Sequence, residues 1–470
     1  MRRKKKVDFP LIEKVEIIDI AAEGKGIARI DNLVVFVDSA IPGDIVDIKI
    51  AKKKKDYALA DVVNVVQSSP KRVKPFCAHF GTCGGCKWQH VDYAYQLQLK
   101  QQIVDDAFRR IGKTTLANVL PILGSSATQF YRNKLEFTFS NRVWLTREQI
   151  DSGETFNRNA LGFHISGNFA SILHIDKCYL QDEKVNAIRN AIFDFAIKND
   201  YTFYNLKFHE GLLRNLIFRN STLNEWMLTV CFAENKQEKI ELLMQFIHQQ
   251  FPFITSLNYI INTKKNDTIY DQEVITYFGQ SYITEQIENI RYKISTKSFF
   301  QTNSLQAKHL YDIVKQFGNF TKDDIVYDLY CGTGSIALYI AEKCKMVIGI
   351  EQIEDAIKDA KENATLNNIK NVHFQVGTCE TILSEEFIDQ FPLPDIVVVD
   401  PPRAGLHEKV IDVLLQIQPK KIVYVSCNPA TQARDVLLFS EKYAVVKSQA
   451  VDMFPHTFHI ENIVLLERLI

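Results

Sequence analysis

Four groups of residues have types and spacings suited to chemistry. In Ser426-Cys427-Asn428-Pro429 a cysteine follows a β-branched run, and its thiolate is a candidate nucleophile. In Asp452-Met-Phe-Pro-His456-Thr-Phe-His459-Ile-Glu461, polar residues crowd the approach to the last apolar run, offering Glu461, His456 and His459 as general bases. Asp328-Leu-Tyr-Cys-Gly332-Thr-Gly334-Ser335 has glycines that let backbone approach a ligand closely at a helix N-terminus. Cys77, Cys83 and Cys86 fall close together and could take a metal. Each group also has a bland alternative. A free cysteine is most often a small buried hydrophobe, and a polar segment before a strand can be a structural turn.

The glycine turn narrows the reading. Glu351 follows about 20 residues on, where a carboxylate can accept from ribose hydroxyls. A nicotinamide fingerprint would carry a third glycine, and none stands here. Gly-x-Gly with an acid at the end of the second strand is the pattern of S-adenosylmethionine methyltransferases. Asp400-Pro401-Pro402-Arg403 fixes a carboxylate on a rigid extended turn. Amino-group methyltransferases carry an aromatic after Pro-Pro, so Arg403 argues against that chemistry. A thiolate becomes useful when the methyl acceptor is carbon 5 of a pyrimidine, a poor nucleophile. Addition of sulfur to carbon 6 makes the ring an enolate with density on carbon 5. The carbon 5 proton must then leave to a base before the sulfur is expelled.

These residues need elements to position them. From about 296 the pattern alternates strand and helix. Strands are expected at 324–329, 346–350, 372–376, 395–399 and 421–425, with helices at 336–343, 355–367 and 410–417 and a final strand at 463–466. Such alternation predicts a doubly wound, Rossmann-like α/β domain, with ligands outside the carboxyl ends of its strands. Residues 11–67 read as some five short strands separated by Gly24-Lys25-Gly26, Asp31-Asn32 and Pro42-Gly43-Asp44, which predicts a small OB-like β-barrel. Lys52 to Lys55 falls in the turn before its last strand, and the run Arg2 to Lys6 precedes the barrel. Residues 68–75 read as a linker, and 93–111 as a helix. The expected organisation is a barrel at 1–68, a central α+β domain at 69–295 and the methyltransferase domain at 296–470.

Composition agrees with a folded, non-membrane chain. Of 470 residues, 46% are hydrophobic and 24% charged, which excludes disordered and collagen-like classes. No apolar run approaches the roughly 20 residues of a membrane span. The start lacks the apolar core of a signal peptide, so a cytoplasmic protein is expected. The balanced charge hides an asymmetry. Residues 1–144 hold 24 Lys and Arg against 15 Asp and Glu, and the remainder 32 against 41. A basic front half suggests a polyanionic partner, though a solvated face would look the same.

Taken together these motifs resemble the RNA uracil-5-methyltransferases, most closely the branch that modifies uridine in 23S ribosomal RNA. Gly24-x-Gly26, Val35-Phe-Val37 and Pro42-Gly-Asp44 resemble a TRAM domain, an RNA-binding barrel. Phe299-Phe-Gln-Thr-Asn303, Asp328 to Gly334, Asp400 to Arg403, Ser426 to Pro429 and His456-Thr-x-His-x-Glu461 follow in the family's order. The resemblance implies that Cys427 is the nucleophile and Glu461 the base. It implies that Gln301, Tyr330, Glu351 and Asp400 line the pocket for S-adenosylmethionine and uracil. Ser335 and Thr378 stand where the family often has Asn, as two further cofactor positions. Cys77, Cys83 and Cys86, with Cys178 far along, match a 4Fe-4S site of this branch. Four thiolates suit that cluster and also zinc. The x5 spacing and a fourth cysteine differ from radical S-adenosylmethionine enzymes, so the implied role is structural. The transfer-RNA branch generally lacks barrel and cluster. The resemblance therefore implies ribosomal RNA as partner and a chain acting as a monomer.

Overall fold

The computed structural model describes residues 9–114, 116, 118–165, 167–383 and 391–469; side chains of 168–170 are outside that description, as is the basic run Arg2 to Lys6. Among the described residues no helix is long and apolar enough to cross a membrane.

The N-terminal sheet has six strands, one more than expected, in the order Leu11–Glu16, Ile45–Lys53, Tyr57–Gln67, Leu33–Asp38, Gly26–Ile30, Asp19–Ile20. The extra strand comes from Gly26–Ile30, whose alternation is cut short by its glycine. Asp31 and Asn32, at φ 47° and 67°, turn it back so that Ile30 pairs with Leu33. Two left-handed residues are what a two-residue hairpin asks for. Inward residues Val15, Ala28, Val35, Val37, Val46, Ile48, Ala58 and Ala60 fill the barrel. Lys52 and Lys53 end a strand rather than standing in the turn.

The segment at 68–75 is not a free linker. The buried carboxylate of Asp44 accepts from the Ser69 amide (2.9 Å), from Arg72 Nε (2.8 Å) and Nη2 (2.7 Å), and from the Ile41 amide (2.8 Å). Burial pushes this carboxyl up, but the Arg72 and amide bonds outweigh it and hold it below the usual range.

The central region is a seven-stranded sheet in the order Asn168–His174, Ala160–Ile165, Lys134–Ser140, Leu213–Asn220, Trp226–Phe232, Ser256–Ile261, Ile275–Gly279. Helices Glu183–Lys198 and Gln237–Gln250 bury Val185, Ile188, Ile192, Leu243 and Met244 against Leu135, Phe137, Leu216 and Leu228. The hairpin of Tyr282–Ile287 and Ile290–Ser295 leads out of it.

The C-terminal sheet has eight strands: Val372–Val376, Met346–Glu351, Ile325–Leu329, Ile396–Val399, Lys421–Ser426, Glu461–Arg468, Tyr443–Val451, Val119–Leu123. The first five are parallel, as the alternation predicts, and their order reverses beside Ile325–Leu329. Glu461–Arg468 runs antiparallel between its two neighbours. The edge strand Val119–Leu123 comes from far upstream and pairs with Tyr443–Val451. Helix Tyr93–Arg110 precedes it, capped by Asp92, and buries Leu99, Val104 and Phe108 with Tyr424, Ala433 and Val436. Two upstream elements thus complete the C-terminal layer, which pattern reading alone assigns to the preceding region.

Candidate active site

Glu351, Asp400 and Cys427 stand at the carboxyl ends of the parallel strands, and Glu461 opens the antiparallel strand beside Cys427. The strand Ile325–Leu329 ends at Tyr330, whose φ of 65° begins the glycine turn. Gly334, at φ 77°, caps helix Ser335–Ile340, and a side chain there would meet the Phe374 ring at 2.7 Å. Gly332, at φ 55°, has open space where a side chain would stand, so the backbone is bare on its ligand side. Glu351 holds this turn: its carboxylate accepts from the Gly332 amide (3.2 Å) and from Ile353 (3.0 Å). Tyr330 turns its ring into the apolar layer, where the His407 amide donates to its hydroxyl and Cys379 lies alongside.

Ser335 opens the helix and lies 3.3 Å from the Thr333 hydroxyl. Thr378 follows the strand Val372–Val376 and bonds Thr381 (3.0 Å). Gln301 lies in the stretch between the central region and helix Ser304–Gly318. Asn133 donates to the Gln301 carbonyl (2.9 Å) and to Ser304 Oγ (2.8 Å), and Thr333 Oγ1 reaches the neighbouring Phe299 carbonyl (3.4 Å). That stretch therefore runs across the glycine turn.

Cys427 and Glu461 are brought together by strand pairing. Ser426 is opposite Asn462, which sets Cys427 beside Glu461 across adjacent strands. Asp400 and Arg403 complete the group from the next strand end. The Cys427 thiol is pushed up to about 11, first by burial, then by the Glu461 and Asp400 carboxylates, while Arg403 pulls it down by charge and hydrogen bond. Glu461 is raised well above the ordinary carboxyl value by burial and then by Asp400, against Arg403. Burial pushes Asp400 up to about 7. Asp328 is pushed to about 8 by burial and Asp400, and it accepts from the Ala337 amide (2.9 Å). Raised carboxyls next to a thiol in one crevice are suited to moving a proton near neutral pH.

The Asn-Pro after Cys427 has a local reason. Asn428 caps helix Pro429–Phe439 by accepting from Ala430 (3.1 Å), and proline takes the first turn, where no amide is needed. Its Nδ2 also donates to the Arg403 carbonyl (3.0 Å), tying the Pro-Pro-Arg loop to the cysteine turn. Arg403 thus joins the site as a cation, which sequence reading weighed only as a missing aromatic. Its Nη2 lies 2.6 Å from His459 Nδ1, so the guanidinium donates to a neutral ring. Burial, then Arg403, pushes His459 down to about 4. His456 is likewise pushed down to about 4 by burial, and Gln96 occupies its Nδ1 at 3.1 Å. In both histidines the Nδ1 atom is already engaged, by Gln96 in His456 and by Arg403 in His459.

The structure also brings Cys77, Cys83, Cys86 and Cys178 to one place, the wall of a cavity of about 410 Å³ shared with His79, Arg132 and Tyr179. Cys178 arrives from a distant loop whose amide is fixed by Asn186 Oδ1 (2.8 Å). Cys83 Sγ accepts from the Gly85 amide (3.4 Å). Burial and neighbouring thiols push Cys86 up to about 11 and Cys178 to about 12. The four-thiol donor set fits a metal cluster in kind. Among the described residues, however, no three Cys, His, Asp or Glu side chains stand together as a ready-made metal site.

One signal in the sequence could have found more. Tyr93, Gln96 and Lys100 repeat at helical spacing and interrupt an apolar stripe. All three reach the segment before Glu461: Tyr93 and Lys100 bond Asp452 (2.8 and 2.6 Å), and Gln96 bonds His456.

Comparison with known proteins agrees with this arrangement. Residues 12–63 match the TRAM domain, and residues 92–469 match tRNA (Uracil-5-)-methyltransferase. An uncharacterized RNA methyltransferase of Bacteroides thetaiotaomicron is 52% identical over 95% of this chain and 100% of its own length. One of Porphyromonas gingivalis is 48% identical over 97% of this chain and 99% of its own. The crystal structure of Pyrococcus abyssi tRNA (uracil-54, C5)-methyltransferase with S-adenosyl-L-homocysteine superposes with a TM-score of 0.74 at 27% identity, covering 97% of this chain and 100% of that one. With the glycine turn, the Glu351 carboxylate that braces it and the paired cysteine and glutamate on adjacent strands, the chain belongs to the tRNA (uracil-5-)-methyltransferase family, as an S-adenosylmethionine-dependent RNA uracil-5-methyltransferase with an N-terminal TRAM domain.

Proposed function

We propose that this chain methylates carbon 5 of a uridine in 23S ribosomal RNA through a covalent adduct at Cys427. The observation that carries the mechanism is the pairing of Ser426 with Asn462, which sets Cys427 and Glu461 side by side. The Cys427 thiolate adds to carbon 6, and the ring becomes an enolate. Carbon 5 then takes the methyl from the sulfonium, releasing S-adenosylhomocysteine. The carbon 5 proton passes to the Glu461 carboxylate, the carbon 5–carbon 6 double bond reforms, and sulfur leaves as thiolate. The raised affinity of Glu461 for a proton makes its ionised form a strong base. Arg403 offsets the carboxylates that oppose ionisation of the thiol. Gln301, Glu351, Ser335, Thr378 and Asp400 serve as the cofactor and uracil pocket, and Tyr330 contributes its backbone at the start of the glycine turn, its ring being taken up by the apolar layer.

We further propose that Cys77, Cys83, Cys86 and Cys178 hold a 4Fe-4S cluster. What supports this is their place on one cavity wall and the four-thiolate demand of such a cluster. Fourfold ligation leaves no open iron, so its contribution is to tie chain segments together.

Two measurements test the reading. Glu461→Gln keeps shape but cannot take the proton, so it should methylate once and remain bound to RNA through Cys427 as a species stable on denaturing gels. Turnover is expected to drop about 100- to 10,000-fold. Wild-type turnover with no trapped species would move the base elsewhere. For the substrate, mass spectrometry of ribosomal and transfer RNA from a deletion strain should show loss of 5-methyluridine from 23S RNA. Transfer RNA is the competing reading. It is favoured by the full-length superposition on an enzyme named for uracil-54 of tRNA, so a barrel alone does not mark a ribosomal substrate.

A further inference from the structure

The segment Asp452–His456, which leads into Glu461, is held by its carbonyl oxygens. Asp452 accepts from Gln306 Nε2 (2.9 Å), Met453 from Asn303 Nδ2 (3.1 Å), Phe454 from Lys100 Nζ (3.2 Å) and Pro455 from the Tyr131 hydroxyl (3.2 Å). His456 accepts from the amides of Lys87 (2.8 Å) and Trp88 (2.9 Å). Successive carbonyls are thus gripped by different parts of the chain. The donors belong to the start of helix Ser304–Gly318, to helix Tyr93–Arg110, to the central region, and to the residues directly after Cys86.

The grip ends at a left-handed residue. His456 has φ 63°, a conformation that a side-chain-bearing residue keeps only where its surroundings over-determine it. Gln96 does so. Its Oε1 accepts from the His456 amide (2.9 Å), and its Nε2 lies 3.1 Å from His456 Nδ1. The same Nε2 reaches the carbonyls of Trp88 (3.0 Å) and Val91 (2.9 Å). Gln96 is fully buried. One amide therefore bridges the cysteine-bearing segment to the turn from which the chain enters the strand of Glu461.

We infer that Gln96 is a positioning residue for Glu461, fixing the His456 turn so that the carboxylate meets carbon 5 of the bound ring. This rests on the reading of Glu461 as the base. Cys427 directly follows the strand Lys421–Ser426, outside the grip. Loosening the turn should therefore spare attack and methyl transfer and slow release alone. A misplacement of about 1 Å at a reacting group can cost about 100-fold in rate.

The test is Gln96→Leu, which fills similar space without the hydrogen bonds. Turnover should fall about 100-fold with unchanged KM for S-adenosylmethionine, while the denaturation-resistant RNA adduct accumulates in the steady state. Tyr131→Phe keeps its ring and loses only the hydroxyl's bonds, to Pro455 and to Arg132. It should show the same partition at about 10-fold, and it decides the matter if Gln96→Leu does not fold. Loss of turnover without adduct in a folded variant overturns the inference, and so does wild-type turnover in both variants. Glu461→Gln is measured alongside. If it traps adduct while the Gln96 and Tyr131 variants behave as wild type, positioning fails and the base stands. If Glu461→Gln itself turns over without adduct, the base reading fails and takes this inference with it. Lys100 is not a suitable target, because its removal leaves the Asp452 carboxylate buried and unpaired.

Discussion

Two groups of thiols sit in this molecule under opposite arrangements. Cys427 is surrounded by groups of both signs: Glu461 and Asp400 push it up, and Arg403 pulls it down. In the cavity near the central sheet, thiols oppose one another. Cys86 is raised by burial and then by Cys83 and Cys77, and Cys178 by burial and then by Cys86 and Cys83. Arginines lie within reach of both cavity cysteines, but as lesser influences. A thiol acting as the proposed nucleophile needs an ionised form that is reachable and then discharged onto a substrate carbon. The raised thiols of Cys83, Cys86 and Cys178 need a cation to bring them down together, which is what a metal supplies.

The comparison breaks first at Cys427. Cys427→Ala should abolish methylation and the RNA adduct, with metal content and S-adenosylmethionine affinity unchanged. Detectable turnover in single-turnover assays would end the covalent mechanism. Cys83→Ser should act in the other place. Wild-type protein purified without oxygen is expected to carry about four irons and visible absorbance, and the serine variant to lose both. RNA binding should weaken more than cofactor binding. Zinc without iron in the wild type would replace the cluster assignment.

A subtler division concerns pH. The Cys427 thiol is raised, so its neutral form prevails at pH 7 and the nucleophilic fraction grows as pH rises toward about 11. Single-turnover adduct formation should therefore increase with pH through the neutral range. Arg403→Gln removes the group that lowers the thiol and should move the rise to higher pH. An unshifted profile would show that Arg403 acts on something other than sulfur. The smallest expected effect lies outside both thiol sites. Replacing Lys52 and Lys53 with Ala should flatten the log–log salt dependence of RNA binding by about 0.7 to 0.9 per lost phosphate contact, at unchanged turnover when RNA is saturating. Point variants are preferable to removing the barrel. Its Gly24 packs against Trp88 and Phe458, and its Asp44 grips Arg72.

The barrel shows where local reading reaches its limit. Its alternating strands are legible because inward residues recur every second position. Gly26–Ile30 is missed because turn-forming residues flank a run too short to show a period. Residues 68–75 look like a linker for the same reason: Ser-Ser-Pro is turn composition, and nothing nearby announces that Asp44 will bind Ser69 and Arg72. In the C-terminal domain, the expected strands and helices lie within about two residues of the observed ones, while helices Ser304–Gly318 and Pro429–Phe439 and strand Tyr443–Val451 are not read from the sequence. Buried parallel strands are uninterrupted apolar runs, and the turns between them carry glycine and proline for steric reasons.

The residues proposed to do chemistry stand at the ends of those runs, so their identities and order could be read from the chain itself. So could the need of Gly332 and Gly334 for bare backbone. These depend on neighbours within a few residues, where period, capping and steric rules act. The tertiary structure alone decided that strand Val119–Leu123 and helix Tyr93–Arg110 complete the sheet, and that Arg403 lies against His459 and Cys427. It alone decided that Gln96, Lys100 and Tyr131 grip the approach to Glu461. Those contacts join residues more than 300 positions apart in some cases. Each is one hydrogen bond between two polar side chains or backbone groups, and such a bond leaves no periodic trace in either of the stretches that make it.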